Sequence, residues 1–130
     1  MMDSGFKRPG NGHSVLIVDD DIDLNKTVNK ILRKSSVYNI RSAFSPEEAL
    51  DTIRKKSPSL VLLDISMPRM NGMEVLKIIK EIDNGIPVIM MSAYYDTDLA
   101  EQSFNLGACD YVSKPIDFEY LVKVMTLKLG

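Results

Sequence analysis

Several residue types that would point to particular chemistries are scarce in this chain of 130 residues. Cys109 is the only cysteine, so no disulfide can form within the chain, and a reducing compartment is the natural expectation. One cysteine and one histidine are too few for a zinc site of the usual kind. No apolar run approaches the roughly 20 residues of a membrane-spanning helix, and the N-terminal residues lack the apolar segment of a signal peptide. We therefore expect a cytoplasmic protein with no membrane partner.

The charges are nearly balanced, since sixteen Lys and Arg residues face eighteen Asp and Glu residues and the net charge is −2. A nucleic-acid-binding surface would need a basic stripe, so no direct nucleic-acid partner is expected. An apolar fraction of 45% is enough for a core, and the length suits one domain. We predict a disordered leader over residues 1–13, in which His13 is a tail residue in solvent, and a single domain over residues 14–130.

Short apolar runs alternate with amphipathic segments along the chain. The stretch Leu60-Val-Leu-Leu-Asp64 ends on a carboxylate and is followed by a loop that contains Pro68 and Gly72, which is typical of a strand buried on both faces. Ser45-Pro46-Glu47-Glu48 predicts a helix start with Ser45 as N-cap and Glu48 completing a capping box. The predicted strands cover residues 14–18, 38–43, 60–64, 88–91 and 110–112. The predicted helices cover residues 21–34, 46 to before Pro58, 73–82, 98–106 and 118–129.

This alternation predicts an α/β fold, a doubly wound parallel sheet of five strands with helices on both faces. The flavodoxin-like strand order 2-1-3-4-5 is expected by analogy with known sheets of this kind, because the residues alone leave the order open. In that order the first and third strands are neighbours at the switch point, where such sheets bind ligands.

Polar side chains stand at the C-terminal ends of four predicted strands. Asp19 and Asp20 follow the first strand, Asp64 ends the third, Ser92 follows the fourth and Lys114 follows the fifth. Three carboxylates held together repel one another and need a counter-cation, and hard oxygen ligands suit Mg²⁺. Beside such a metal, an ammonium and a hydroxyl would stabilise the oxygens of a phosphoryl group. We therefore expect Asp64 to act as a nucleophile that forms an aspartyl-phosphate.

Residues 14–129 resemble the receiver domain of two-component response regulators, of the kind found in chemotaxis regulators. Four motifs in the family's order and spacing carry the resemblance: Val18-Asp19-Asp20-Asp21, Leu63-Asp64-Ile-Ser-Met-Pro68 with Asn71-Gly72, Met91-Ser92-Ala93, and Tyr111-Val112-Ser113-Lys114-Pro115. The resemblance implies that a sensor histidine kinase or a histidine phosphotransfer protein transfers a phosphoryl group to Asp64 with Mg²⁺ as cofactor. It also implies a phosphoacceptor signalling domain that catalyses only its own phosphoryl transfer and dephosphorylation, and so is not an enzyme in the usual sense.

The same resemblance assigns the metal ligands. It implies that Asp20 and Asp64 bind Mg²⁺ directly, that Asp19 acts mostly through water, and that Ser66 contributes its backbone carbonyl oxygen. Ser66 stands where the family often has Asn, and its side chain, like that of Tyr94, lies where the family tunes attack by water on the phosphorylated aspartate. The lifetime of the phosphorylated state therefore stays open.

The resemblance further assigns a switch. It implies that Lys114 pairs with the phosphoryl group, that the Ser92 hydroxyl moves toward it, and that the Tyr111 ring turns inward behind, which changes the surface of helix four, strand five and helix five. Ser92 replaces the common Thr and keeps the hydroxyl. Helix four has the weakest apolar stripe, formed by Leu99 and Phe104, and is expected to move most. The bond from Lys114 to Pro115 is predicted to be cis, as in the family.

Two other functions stay open. A pseudo-receiver would be an interaction module that takes no phosphate, although the acidic, lysine and hydroxyl positions are all present. A phosphatase acting through an aspartyl-phosphate is the other, although Ser66 stands where such enzymes carry a second acid. A downstream effector domain or protein, and a homodimer formed on phosphorylation, are the further partners implied. A stand-alone receiver and a piece of a longer regulator are both compatible with the sequence.

Overall fold

A computed structural model of the chain describes residues 12–68 and 70–130. Five strands and five helices alternate along these residues, and their bounds differ from the predicted ones by no more than one residue wherever both ends were predicted. The strands are β1 (Ser14–Val18), β2 (Asn39–Ala43), β3 (Leu60–Asp64), β4 (Val88–Ser92) and β5 (Asp110–Ser113). The helices are α1 (Ile22–Ser35), α2 (Pro46–Lys55), α3 (Gly72–Ile82), α4 (Thr97–Asn105) and α5 (Phe118–Leu129).

The five strands form one parallel sheet in the order β2-β1-β3-β4-β5, which confirms the predicted flavodoxin-like fold. The register aligns the strands at their C-terminal ends. Val18 lies beside Leu63 and Ala43, and Ser92 lies beside Ser113. Residues that follow β1, β3, β4 and β5 are thereby brought to one edge of the sheet.

The sheet separates two apolar cores. Alternate residues of each central strand point to opposite faces, so that in β3 Val61 and Leu63 join one core while Leu60 and Leu62 join the other. The first core is closed by α2, α3 and α4, and the second by α1 and α5. Burial on both faces explains why the central strands are continuous apolar runs.

Each helix begins at a side chain that caps its free N–H groups, and the five caps are Asp21, Ser45, Asn71, Asp96 and Asp117. At α2 the predicted capping box is present with one difference. Ser45 Oγ accepts from the Glu48 N–H at 3.1 Å, but the Glu48 carboxylate accepts from the N–H of Phe44, at 2.7 Å, instead of that of Ser45. The box therefore also fixes the residue before the cap.

Gly72 lets α3 start directly against the end of β3. Its N–H donates to the Ile65 carbonyl oxygen at 2.6 Å, and a Cβ at this position would lie 2.7 Å from Ile65 Cα. Any side chain here would therefore push apart α3 and the segment that follows Asp64.

The bond between Lys114 and Pro115 is cis, as predicted.

Part of the predicted leader, residues 1–11, lies outside the described residues. His13 is half-buried, and this corrects the expectation of a tail histidine in solvent. Its carbonyl oxygen accepts from the Asn39 N–H at 2.9 Å, its Nδ1 lies 3.3 Å from Ser59 Oγ, and its ring packs edge-on against Tyr38. Contacts with Asn39, the first residue of β2, and with Ser59 therefore hold His13 in place.

The inner face of α4 also differs from the prediction. Phe104 is 48% exposed, so it does not belong to an apolar stripe, and the buried residues of α4 are Ala100 and Ser103. Ser103 Oγ donates to the Leu99 carbonyl oxygen at 2.7 Å and lies 3.4 Å from Met73 Sδ. Leu99 is half-buried and packs against the core as predicted, so α4 is attached there by Leu99 and two small buried residues.

Within the part of the chain that the structure describes, every helix is too short or too polar to cross a bilayer.

Candidate functional site

Three carboxylates meet where β1 and β3 end. Asp19 and Asp20 follow β1 directly, Asp64 is the last residue of β3, and these two strands are neighbours in register. Carboxylate oxygens of the three residues lie within 4.8 Å of one another. Asp19 is 2% exposed and Asp64 3% exposed, whereas Asp20 is more open to solvent. The predicted acidic cluster therefore exists, with two of its members buried.

Lys114 reaches this cluster from the segment after β5. Its Nζ lies 3.0 Å from Asp19 Oδ2 and 3.1 Å from Asp64 Oδ1, so one ammonium links two buried carboxylates. Its main-chain N–H donates to the Ser92 carbonyl oxygen at 2.7 Å, which fixes the start of the side chain against the end of β4. The structure thus brings together the four charged residues that the sequence pattern had placed at this edge.

The cluster holds more negative than positive charge. Burial, and then the negative charge of Asp19, raise the pKa of Asp64 from 3.8 to about 6, although Lys114 acts in the opposite direction. Burial by itself would lower the pKa of Lys114, but the hydrogen bond to Asp19 and the charges of Asp64 and Asp19 outweigh it and raise that pKa above 10.5. The ammonium is therefore held charged, and it does not fully compensate the carboxylates.

The donor set fits a hard divalent cation. Three ionised carboxylates and one ammonium leave two negative charges, which is the charge that one divalent cation neutralises. Carboxylate oxygens are the ligands that Mg²⁺ prefers, and Mg²⁺ commonly binds through few carboxylates and keeps several waters. The openness of Asp20 to solvent is compatible with such waters. Asp19, Asp20 and Asp64 could therefore hold Mg²⁺.

Ser92 and Tyr111 both contact the main chain of Tyr94. Ser92 is buried, and its Oγ accepts from the Tyr94 N–H at 3.2 Å. The Tyr111 hydroxyl donates to the Tyr94 carbonyl oxygen at 3.1 Å, and the ring of Tyr95 lies edge-on to the Tyr111 ring. Tyr111 is 9% exposed, so its ring already points inward. The two predicted switch residues are thus joined through one residue of the loop between β4 and α4.

Three further predicted or supporting residues lie around the cluster. The Ser66 side chain is exposed, and the role assigned to its carbonyl oxygen stays a prediction. Asp21, which was predicted only to start a helix, donates its N–H to Asp19 Oδ1 at 3.0 Å. Asn25 was missed, although it falls on the buried face of α1 at helical spacing from Val28. A polar residue on an apolar face was the available signal for it.

Known proteins resemble this chain in sequence over most of its length. A family model described as the response regulator receiver domain matches residues 15–126. The chain is 40% identical over 105 residues to sporulation initiation phosphotransferase F of Bacillus subtilis (strain 168), a match that covers 81% of this chain and 84% of that protein. It is 36% identical over 116 residues to the transcriptional regulatory protein ZraR of Salmonella typhimurium, which covers 89% of this chain and 26% of that protein. The chain thus spans most of the first protein and about a quarter of the second.

Solved structures with the same fold include a CheY-like response regulator receiver domain protein from Methanospirillum hungatei JF-1. It superimposes with a TM-score of 0.84 at 31% identity, and the match covers 90% of this chain and 93% of that one. The receiver domain of NtrX from Brucella abortus gives a TM-score of 0.82 at 32% identity, with coverage of 88% and 97%.

Proposed function

Because the chain belongs to the family of response regulator receiver domains of two-component systems, we propose that it is a switch that accepts a phosphoryl group on Asp64. The donor is the phosphohistidine of a sensor histidine kinase or of a histidine phosphotransfer protein. The observation that carries the proposal is the buried Asp64 carboxylate, which lies within 4.8 Å of the Asp19 and Asp20 carboxylates and 3.1 Å from Lys114 Nζ.

In the proposed reaction an Asp64 oxygen attacks the phosphorus atom of the phosphohistidine. The new O–P bond forms as the P–N bond breaks, and the electron pair of that bond returns to the imidazole nitrogen. Only the ionised carboxylate can attack, and a pKa of about 6 leaves most of Asp64 ionised at neutral pH. Lys114 pairs with an oxygen of the transferred group. The Ser92 hydroxyl now accepts a hydrogen bond from the Tyr94 N–H and keeps its own proton, so it can turn and donate that proton to another oxygen of the group.

The metal site is part of this proposal. Asp19, Asp20 and Asp64, with the main-chain carbonyl oxygen of Ser66, would hold Mg²⁺. When bound, Mg²⁺ supplies positive charge next to the phosphoryl oxygens. The protein side chains supply the rest: they hold Asp64 in place and keep one ammonium beside it.

The readout follows from bonds that exist before phosphorylation. A phosphoryl group adds about −1.5 to −2 charge and three strong acceptors, so it competes for Lys114 and Ser92. When the Ser92 hydroxyl turns toward the phosphoryl group, its hydrogen bond with the Tyr94 N–H is lost. Because the Tyr94 carbonyl oxygen accepts from the Tyr111 hydroxyl, a movement of Tyr94 also affects Tyr111. The change is therefore passed to the surface of α4, β5 and α5, where an effector domain or protein, or a second phosphorylated copy, would bind.

The lifetime of the phosphorylated state belongs to the same proposal. The domain also removes its own phosphoryl group by attack of water. The Ser66 and Tyr94 side chains are exposed, Tyr94 by 75%, and so are available to admit or obstruct that water.

Intact mass after incubation with Mg²⁺ and a small-molecule phosphodonor tests the proposal. We expect one added phosphoryl group in the wild type, no adduct without Mg²⁺, and no adduct in Asp64→Asn. Asp51→Asn, which makes the same change on the exposed surface of α2, should be phosphorylated like the wild type. Absence of the adduct in rapidly quenched wild-type samples would contradict the proposal and favour a pseudo-receiver. Repeated turnover of phosphoesters would favour a phosphatase.

A further inference from the structure

Asn25 is a fully buried polar residue in α1 that takes no direct part in the charged cluster. It is 0% exposed and lies near the start of the helix, against the ends of β1 and β2. A buried asparagine is costly unless its amide is hydrogen-bonded, so its partners indicate what it does.

The amide of Asn25 holds the main chain of Asp19. Asn25 Nδ2 donates to the Asp19 carbonyl oxygen at 3.0 Å and to the Ala43 carbonyl oxygen at 2.9 Å, and the Ile17 carbonyl oxygen lies at 3.5 Å. The Asp19 N–H donates to the same Ala43 carbonyl oxygen at 3.3 Å. Asp19, Ala43 and the Asn25 amide therefore form a closed hydrogen-bonded ring that fixes the peptide units on both sides of Asp19.

Asn25 is also tied to the next part of the acidic segment. Its own N–H donates to the Asp21 carbonyl oxygen at 2.9 Å, and the Asp21 N–H donates to Asp19 Oδ1 at 3.0 Å. Lys114 holds the other oxygen of Asp19. The backbone from Asp19 to Asp21 is thus held from both ends by Asn25.

One atom of Asn25 is left without a partner. Its Oδ1 is buried and accepts no hydrogen bond from the described residues. A buried orphan acceptor costs about 1–3 kcal/mol, so a residue chosen for packing alone would be apolar here. Buried polar atoms without a hydrogen-bond partner concentrate at sites where a residue serves a function other than stability.

We infer that Asn25 is a positioning residue for the metal site, because it sets the backbone that directs the Asp19 and Asp20 carboxylates toward Asp64. This inference rests on the proposed function. An apolar residue at this position would leave the Asp19 carbonyl oxygen without the Asn25 donor and let the segment from 19 to 21 move relative to β3. The effect should appear in the affinity for Mg²⁺, since partners behind metal ligands commonly change metal affinity by about 10- to 100-fold.

The chain offers a matched control one turn further along α1. Asn29 is also buried, but its Nδ2 donates to the Ser42 hydroxyl at 2.9 Å and its Oδ1 accepts from Arg33 at 2.8 Å, and neither partner belongs to the cluster. Replacing either asparagine with leucine removes a buried amide from the same helix face. Only one of the two replacements removes a hydrogen bond to Asp19.

The experiment is titration of the metal-free protein with Mg²⁺ alone by calorimetry, together with urea unfolding in EDTA. We expect the dissociation constant for Mg²⁺ to rise about tenfold in Asn25→Leu and to stay within about twofold of the wild type in Asn29→Leu. Both variants should lose stability in EDTA. If Asn25→Leu does not fold, Asn25→Ser keeps one hydroxyl donor and should weaken Mg²⁺ binding by a smaller factor.

The outcomes separate this inference from the proposed function. If the wild type binds Mg²⁺ and the Asn25 variants bind it equally well, the positioning role is overturned while the receiver chemistry stands. The positioning role is also overturned if Asn29→Leu weakens binding as much as Asn25→Leu does. If the wild type itself binds no Mg²⁺, the metal-dependent function fails and the role of Asn25 fails with it.

Discussion

The charge excess at the site should make the metal-free protein less stable than a variant that lacks one of the carboxylates. Asp64→Asn replaces a buried carboxylate by a neutral group of the same shape. A carboxyl pKa that rises from 3.8 to about 6 corresponds to about 3 kcal/mol, since each pKa unit is worth about 1.4 kcal/mol. The amide of Asn places two N–H donors beside the Lys114 ammonium, where a protonated carboxyl group would place one O–H donor, so we expect a smaller gain of about 2 kcal/mol in the free energy of unfolding at pH 7.5 in EDTA.

The gain should depend on pH in a defined direction. Because the pKa of Asp64 is higher in the folded than in the unfolded state, the folded protein binds more protons between pH 3.8 and about 6. The stability contributed by this group is fully present below pH 3.8 and is lost as the pH rises through about 6. The advantage of Asp64→Asn should therefore be largest above about pH 6.5 and fall to about 1 kcal/mol or less at about pH 4.5.

Urea unfolding followed by circular dichroism measures these differences, with Asp51→Asn as the control for loss of an exposed carboxylate. Mg²⁺ should reduce or reverse the stability difference between Asp64→Asn and the wild type. At about ten times its dissociation constant it would stabilise the wild type by about 1.4 kcal/mol, whereas the variant lacks one of the coordinating carboxylates. The prediction is wrong if Asp64→Asn is no more stable than the wild type in EDTA at pH 7.5. It is equally wrong if the gain is undiminished at pH 4.5 or if Asp51→Asn shows the same gain.

Two further variants test the geometry around the site. Gly72→Ala should lower the free energy of unfolding by about 3 kcal/mol or more, because the new Cβ meets the backbone of the segment after β3. In the control Gly85→Ala the new Cβ meets only a side-chain oxygen, at 3.2 Å, and the loss should be less than about 1 kcal/mol. Thermal unfolding compares the two variants, and equal losses of stability would contradict the steric argument. Tyr111→Phe should lower the free energy of unfolding by about 1 kcal/mol, because it removes the hydrogen bond to the Tyr94 carbonyl oxygen and keeps the ring. Tyr95→Phe, at a 69% exposed position, should leave the free energy of unfolding unchanged in the same urea assay. An equal effect of both variants would contradict the role of the Tyr111 hydrogen bond.

The features that the sequence predicted are those that depend on neighbours along the chain. The end of β3 at Asp64 and the start of α2 at Ser45 follow from an apolar run that stops and from a capping pattern, which are both local. The strand order is a non-local property and came from analogy with known sheets. Once that order is given, the meeting of Asp19 with Asp64 follows from the register, because parallel strands end at the same edge.

The features that were missed depend on partners far away in the chain. Asn25 contacts Ala43, 18 residues further on, and helical periodicity alone cannot show that a polar residue on an apolar face has such a partner. His13 is held by Asn39 and Ser59, whereas the glycine, asparagine and charged residues that precede it indicated only a tail. Phe104 was predicted to share a weak apolar stripe of α4 with Leu99, but only Leu99 packs against the core and the Phe104 ring stays outside.

The hydrogen bonds around Asp64 differ on its two sides, and this asymmetry would give the proposed switch a direction. On the β1 side, Asp19 is held through its N–H, its carbonyl oxygen and its carboxylate by partners that a phosphoryl group on Asp64 would not replace, apart from Lys114. On the β4 and β5 side, the contacts of Lys114 and of Ser92 Oγ are made by groups that such a phosphoryl group would attract. Rearrangement therefore costs least on the β4 and β5 side. Since the loop that joins Ser92 to Tyr111 leads directly into α4, whose buried residues are only small ones, a charge added at Asp64 is expected to move this helix before any other.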